Sequence, residues 1–160
     1  MRPKSTRAAT AIIASLAIGT LLAACGGAAA TKAPAVTVAP LPSSVDVAMQ
    51  EWAMVPGATV LAAGPVTFHV SNTGPKDKHE MVVVRTDLAN RKLPVLADGS
   101  VDEEAGVGIT AIGEIEDVLV GTSGDVTLTL PAGHYVMFCN LVDDQGIHYA
   151  KGMSADFETR

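Results

Sequence analysis

Three residues with side chains that bind soft metal ions lie close together near the C-terminus. Eight residues separate Cys139 from His148, and four more separate His148 from Met153. This spacing places a thiolate, an imidazole and a thioether on one loop that turns back on itself, so they can point at a common centre. Copper accepts such a ligand mixture in both oxidation states, whereas zinc rarely recruits methionine. The loop therefore predicts a copper site.

A second imidazole must come from elsewhere, because one loop cannot supply every strong ligand. His79 is the candidate, since it follows a turn at residues 71–75 and opens a strand. Alternation along that strand puts His79 on one face with Met81 and Val83. The remaining histidines are predicted to point outward and two methionines to lie in the core: His69, His134, Met54 and Met137.

The N-terminus has the layout of a secretory signal peptide. Arg2, Lys4 and Arg7 precede an apolar run over residues 8–24, which ends in Leu-Ala-Ala-Cys25. This tetrapeptide resembles a bacterial lipobox, which implies that Cys25 is lipidated and becomes the first residue of the mature protein. The predicted location is the cell envelope, outside the cytoplasm and anchored to a membrane. The alternative is an ordinary signal peptide with a chance cysteine.

An acylated Cys25 leaves Cys139 as a lone thiol in an exported protein, where cysteines are usually paired. Free cysteines are often buried and inert, and that is one explanation. The other is that Cys139 is a metal ligand. His148 and Met153 on the same loop favour the ligand.

The chain has room for one domain of ordinary size. Residues 26–44, rich in glycine, alanine, proline and serine, predict a flexible linker, and residues 45–160 a folded domain. Many short strands with turns between them indicate an antiparallel sandwich or barrel. Period-two alternation and short apolar runs predict strands at residues 45–49, 65–70, 81–84, 125–130, 134–139 and 153–160.

Residues 86–117 are less regular and are predicted to contain one or two helical turns. Asp87 is placed to cap a turn that stops before Pro94. Ser100 and Glu103 have the spacing of a capping box. The carboxylates of this segment form either a solvated face, which we favour, or a surface for a partner.

The charge of the chain excludes some partners. Eight basic and 17 acidic residues follow Cys25, a formal net charge of −9. No basic cluster occurs outside the N-terminus, which argues against nucleic-acid binding. An acidic surface suits a basic protein partner or cations.

The pattern over residues 45–160 resembles the cupredoxin family of type 1 copper proteins. The matching pieces are VTFHVSNTG, HE at the start of a strand, GHYVMFCN and HYAKGM. The resemblance implies an all-β Greek-key sandwich of about eight strands with one copper ion at one end. It implies His79, Cys139 and His148 as equatorial ligands and Met153 as the weak axial ligand. The loop spacing is longer than in plastocyanin-like or azurin-like carriers and is similar to the type 1 copper loop of copper nitrite reductases.

The expected function is one-electron transfer, because a two-histidine, one-cysteine site with a distant methionine suits both Cu(I) and Cu(II). We expect one edge of His148 near the surface as the route of the electron, with Ile147 and Tyr149 in an apolar docking patch. The expected partner is a basic redox protein, and the chain is expected to be a monomer.

Two other functions remain open: a lipoprotein that captures and passes on copper, and an adhesion domain with an incidental cysteine. We do not expect an enzyme. A two-copper centre needs a second cysteine in the loop, and catalytic copper sites need further histidine ligands.

Overall fold

The computed structural model of the protein describes residues 39–160, all of which belong to one compact unit. The predicted signal peptide, the predicted lipidation site Cys25 and residues 26–38 of the predicted linker lie outside the described residues. Within the described part, no helix is long and apolar enough to cross a membrane.

Residues 39–160 form eleven strands and one short helix, and eight of the strands are longer than two residues. In chain order the elements are β1 (Ser44–Gln50), β2 (Ala53–Pro56), β3 (Val60–Leu61), β4 (Gly64–Asn72), β5 (His79–Thr86), β6 (Ile109–Val118), β7 (Ser123–Leu130), β8 (Gly133–Phe138), β9 (Val142–Asp143), β10 (Gly146–Ile147), α1 (His148–Lys151) and β11 (Ser154–Thr159).

Nine of these strands form two sheets. One has the order β2-β1-β4-β7 and the other the order β3-β11-β8-β5-β6. β1 is parallel to β4 and β3 to β11, while the other neighbours in the two sheets are antiparallel. β9 and β10 pair as a separate hairpin. The predicted all-β class is confirmed, with parallel pairs that alternation alone did not indicate.

The main core contains the inward-facing side chains of both sheets. The predicted alternation is confirmed in β1, where Val45, Val47 and Met49 are buried. Phe68 of β4 meets Phe157 of β11 edge to face, with ring centroids 5.7 Å apart. Because large apolar side chains from both sheets are buried here, hydrophobic burial holds the two sheets together.

A second core covers the outer face of β5 and β8. Val82, Val84 and Phe138 point away from the main core and pack with Leu93 and Val101 from the segment between β5 and β6. β5 is therefore buried on both faces, which explains its continuous apolar run. The two central strands that lead to His79 and Cys139 are thus held from both sides.

The prediction of helical turns in residues 86–117 is wrong. Residues 87–108 form turns, bends and one isolated bridge between Val95 and Val101, and residues 109–118 form β6. The Ser100 hydroxyl donates to Asp98, and the Glu103 carboxylate accepts from Asn140, so the pair forms no capping box. The capping groups found better partners in the tertiary structure, and Leu93 and Val101 are buried on the sheet instead of on a helix face.

Candidate metal centre

The three strongest predicted ligands converge from different elements. His79 is the first residue of β5, Cys139 follows β8, and His148 is the first residue of α1. Cys139 Sγ lies 3.2 Å from Nδ1 of His148 and 4.0 Å from Nδ1 of His79. The two Nδ1 atoms are 3.2 Å apart. The folded chain thus brings together residues that are up to 69 positions apart in sequence.

The triangle of donor atoms has the size of a metal site. A point equidistant from three atoms with these separations lies about 2.1 Å from each, close to the ~2.0–2.3 Å at which histidine nitrogen and cysteine sulfur bind a transition metal. Two nitrogens and a sulfur around such a point are a donor set that copper prefers. The group fits a type 1 copper site.

Burial keeps the thiol and the His79 imidazole of this group uncharged when no cation is bound. His79, Cys139, His148 and Met153 are each 0% exposed. Burial raises the pKa of the Cys139 thiol to about 12. Burial, and after it the neighbouring His148, lowers the pKa of His79. A metal ion at the shared centre stabilises the thiolate and accepts the nitrogen lone pairs, so the chemistry of the donor set fits the implied ion.

Backbone hydrogen bonds place Met153 beside the other three residues. Its carbonyl oxygen accepts the N–H of Cys139 at 3.0 Å, and its own N–H donates to the carbonyl of His148 at 3.2 Å. Its side chain is buried in the core cluster that also contains Cys139. The part of Met153 as axial ligand stays a prediction, as do the ligand roles of the two histidines and the cysteine.

The loop turns into its final strand at Gly152. This residue has φ 120°, a conformation that side-chain-bearing residues rarely adopt. A Cβ atom there would lie 2.8 Å from a guanidinium nitrogen of Arg91. Glycine at this position therefore lets α1 end at Lys151, so that Met153 directly follows the turn.

A carboxylate orients the His148 ring. Nε2 of His148 lies 2.9 Å from Oδ2 of Asp143, and the protonated nitrogen donates to the carboxylate. Although burial acts in the opposite direction, this hydrogen bond and the Coulombic effect of His148 help to hold the pKa of Asp143 below its usual value. Nδ1 is then left as the unprotonated nitrogen that faces Cys139, which is the tautomer a metal ligand needs.

The turn between β1 and β2 covers both imidazoles. Oε1 of Glu51 accepts the backbone N–H groups of Lys76 and Asp77, and it lies 3.6 Å from Nε2 of His79. The Trp52 ring stands edge-on to His148, with centroids 4.8 Å apart. Sequence analysis missed Glu51 and Trp52, because nothing in their local pattern connects them with ligands that follow far along the chain.

A second acidic side chain supports the cysteine from the opposite face of β5. Oε1 of Glu80 accepts the N–H of Asn140 at 2.9 Å. Burial raises the pKa of Glu80 to about 7. The Asn140 amide donates to the carbonyl of Val101 and to Glu103, and its oxygen accepts the N–H of Val101. These bonds anchor the residue after Cys139 to the segment that covers the sheet.

The sequence places one edge of His148 near the surface, whereas the structure buries this ring fully. Tyr149 is also buried and its hydroxyl accepts the N–H of Leu93, so it forms no apolar docking patch with Ile147. The reason is tertiary: the β1–β2 turn and the 87–108 segment, both distant in sequence, pack over this loop.

The other histidines and methionines lie broadly as predicted. His69 is exposed and binds Asp125. His134 is partly exposed, and its ring nitrogens face the carbonyl of Thr86 and the carboxylate of Asp156. The two methionines assigned to the core, Met54 and Met137, are buried there.

Asn72 fixes the turn that leads into His79, and we expect Asn72→Ala to destabilise the fold. Its amide donates to the carbonyls of Asp77 and Val118, and its oxygen accepts the N–H of Gly74. The substitution leaves buried backbone groups without partners, which costs about 3 kcal/mol of the free energy of unfolding. Urea denaturation of the apoprotein measures it.

The matched control is Asn90→Ala. Asn90 also donates through its amide, to Asp156, but it is only half-buried, so water can replace the lost bond. We expect less than about 1 kcal/mol there. Equal losses in the two variants would contradict the role assigned to Asn72.

No known family profile and no curated protein sequence matches this chain. Its structure is similar to those of several auracyanins. Dithionite-reduced auracyanin from Roseiflexus castenholzii superposes with a TM-score of 0.54 at 20% identity, covering 75% of this chain and 98% of that one. Auracyanin B does so with a TM-score of 0.50 at 22% identity, covering 78% and 93%.

Auracyanin A from Chloroflexus aurantiacus, described as a "blue" copper protein, gives a TM-score of 0.50 at 22% identity and covers 74% of this chain and 99% of that one. At this level of identity the likeness shows the fold. With two β-sheets of the observed order and a His-Cys-His group at the ends of central elements, the chain has the cupredoxin fold.

Proposed function

We propose that this protein is a type 1, or blue, copper protein that carries one electron at a time. The observation that carries the proposal is the convergence of Nδ1 of His79, Sγ of Cys139 and Nδ1 of His148 in a buried group of metal-site dimensions. A protein of the same fold, auracyanin A, is named a "blue" copper protein, which supports it.

Copper bound in this group would supply a couple between Cu(I) and Cu(II). The chain itself supplies a donor set that suits both states. Cys139 contributes its thiolate after loss of a proton, and Asp143 keeps the proton of His148 on Nε2. The backbone bonds of Met153 to Cys139 and His148, and the burial of β5 on both faces, hold the donors in place. The ligand side chains therefore need little rearrangement when an electron is transferred.

Burial of all four residues favours an electron carrier over a copper-delivery protein. A delivery protein must let its partner reach the ligands, whereas an electron crosses a covering layer without displacing it. The chain also has no methionine-rich or histidine-rich tract.

We also propose that the protein is not an enzyme, because its two other histidines engage carboxylates away from this group.

We further propose that the protein is held at an extracytoplasmic membrane surface through lipidated Cys25 and exchanges electrons with another redox protein as a monomer. The charged N-terminus, the apolar run and the Leu-Ala-Ala-Cys sequence support the proposed lipid anchor and membrane location.

A visible and electron paramagnetic resonance spectrum with one equivalent of Cu(II) tests the proposed function. We expect an intense thiolate-to-Cu(II) band and the narrow copper hyperfine splitting of a type 1 site. The same protein loaded with Zn(II) is the control, and it shows no visible band because zinc has no redox state to accept charge. A colourless Cu(II)-loaded protein would rule out the electron carrier.

A further inference from the structure

We propose that electrons reach the copper site formed by His79, Cys139 and His148 through Trp52. A redox protein with an acidic face then docks on the surface formed by Trp52, Arg91 and Lys151. We call this surface the Trp52 patch. The inference rests on the proposed function, and it replaces the expectations of an electron route through a His148 edge near the surface and of a basic partner.

Trp52 is the aromatic link between the buried ligands and solvent. Both imidazoles are fully buried, but the partly exposed Trp52 ring stands edge-on to each of them. Its centroid lies 4.8 Å from that of His148 and 6.5 Å from that of His79. Because electron tunnelling falls steeply with distance, an aromatic ring in contact with both ligands offers a short path to the surface.

The Trp52 ring is held in position from two sides. The preceding residue, Glu51, ties the β1–β2 turn to the backbone N–H groups of Lys76 and Asp77. On the other side, Nζ of Lys151 lies 4.1 Å from the centre of the Trp52 ring. A cation above an aromatic face is attracted by its quadrupole. The ring is therefore held in contact with His148, and the positive charge of Lys151 lies beside it.

The patch is positive although the protein is acidic. Lys151 and Arg91 are exposed, and neither forms a salt bridge with any residue from 39 to 160. Arg91 is held beside α1 by donating to the carbonyl of Ala150 at 3.3 Å. By contrast, Lys76 and Lys78 bind aspartates at the same end of the molecule.

Lys151 lies above the Trp52 ring, and Arg91 lies near the Trp52 carbonyl around Gly152. Two cations without salt-bridge partners among the described residues therefore form a recognisable docking surface with this ring. Tryptophan and arginine are enriched where proteins bind one another, and complementary charge guides the encounter. The partner that fits presents carboxylates. Positive partners are attracted by the remaining surface but repelled from the ring through which the electron passes.

The exchange balances without any change to the patch itself. One electron leaves the reduced partner, which is oxidised, and the copper is reduced from Cu(II) to Cu(I). The reverse exchange returns the electron to an oxidised partner. The Trp52 indole is neither oxidised nor deprotonated, and no bond forms or breaks.

The first experiment needs no copper, because Trp52 is the only tryptophan in the chain. Its fluorescence in the apoprotein is titrated with iodide and with caesium at low ionic strength. Relative to free N-acetyltryptophanamide, we expect stronger quenching by iodide than by caesium. We also expect a loss of about two- to fivefold in iodide quenching in Lys151→Gln and in Arg91→Gln, since one nearby charge in water changes local ion concentration by such factors.

The matched control is Arg85→Gln. Arg85 is also exposed and donates its guanidinium to a backbone carbonyl, that of Ala132 at 3.1 Å. It lies six residues along β5 from His79, about 20 Å away. The Arg85→Gln substitution should leave the ratio of iodide to caesium quenching unchanged. Equal quenching of the wild type by the two ions, relative to free N-acetyltryptophanamide, would overturn the cationic patch.

The second experiment uses the copper-loaded protein with hexacyanoferrate(III), an anionic oxidant, and hexaammineruthenium(III), a cationic one. We expect Trp52→Leu to lose most of its exchange rate with both oxidants while the visible band stays unchanged. Trp52→Phe, which keeps an aromatic ring, should recover much of that rate. Arg91→Gln should slow only the anionic oxidant, and Arg85→Gln neither.

Wild-type rates in Trp52→Leu with an unchanged spectrum would overturn the route through the indole. A loss of rate in Asp143→Asn but not in Trp52→Leu would assign the route to the carboxylate instead, and would also overturn it. If the wild-type protein shows neither a visible band nor any exchange, the proposed function fails, and the quenching ratio still decides the charge of the patch.

Discussion

Replacing Cys139 with serine is expected to abolish the intense visible band and the one-electron activity together. The band arises from charge transfer between a thiolate and Cu(II), and Cys139 is the free cysteine of the described chain. A serine hydroxyl at this buried position is a hard and weakly acidic ligand that copper does not favour. The remaining imidazoles bind Cu(II) weakly and without an intense visible band. Visible spectroscopy with copper analysis after gel filtration measures both effects.

A matched control exists within the same chain. Cys25→Ser makes the identical change at the predicted lipidation site, and we expect it to leave the visible band intact while the lipid is lost. Circular dichroism should show the all-β spectrum in both variants. Cys139 lies among apolar side chains, and serine replaces it there with little change in side-chain volume. A Cys139→Ser protein that keeps its colour would refute the assignment of the thiolate.

Removing copper is expected to lower the thermal midpoint by roughly 10–20 °C. The proposed ligands come from the start of β5, the end of β8 and the start of α1, so an unfolded chain cannot gather them. Binding to the folded state alone stabilises it, by about 4 kcal/mol when the metal exceeds its dissociation constant a thousandfold.

Calorimetry of the holoprotein and of the chelated protein measures this difference. The Cys139→Ser variant with and without copper is the control, and its two midpoints should nearly coincide. If the holoprotein and apoprotein unfold at the same temperature, copper is not bound by the folded state in the way we propose.

Local patterns were sufficient for six of the strands and for the candidate ligands, but not for the ten-residue strand β6. Apolar and polar residues alternate along β1, β4 and β7 with a period of two. This pattern follows directly from the geometry of a strand with one buried face, so it can be recognised without the fold. The cysteine, histidine and methionine of the loop are near one another in sequence. A loop of that length can bring them together, and the structure places His79 beside them.

Residues 87–108 show why other local patterns fail. Asp87, Ser100 and Glu103 carry the signature of helix caps, but Ser100 binds Asp98 and Glu103 binds Asn140 in the folded chain. A cap contributes only about 1 kcal/mol, and the burial of Leu93 and Val101 on the sheet exceeds it. Tertiary packing therefore decides the conformation of residues 87–108.

The exposure of the site was also beyond the reach of the linear pattern. The sequence predicts that the loop with His148 lies at the surface, but Trp52 and Asp143 enclose this histidine in the folded chain. Trp52 precedes His148 by 96 positions, and no periodicity links the two. Residue type and spacing follow from chemistry that is local to the chain. The burial of His148, the orientation of its ring and the charge of the Trp52 patch depend on which distant segments pack around the loop. Only the folded chain brings those segments together.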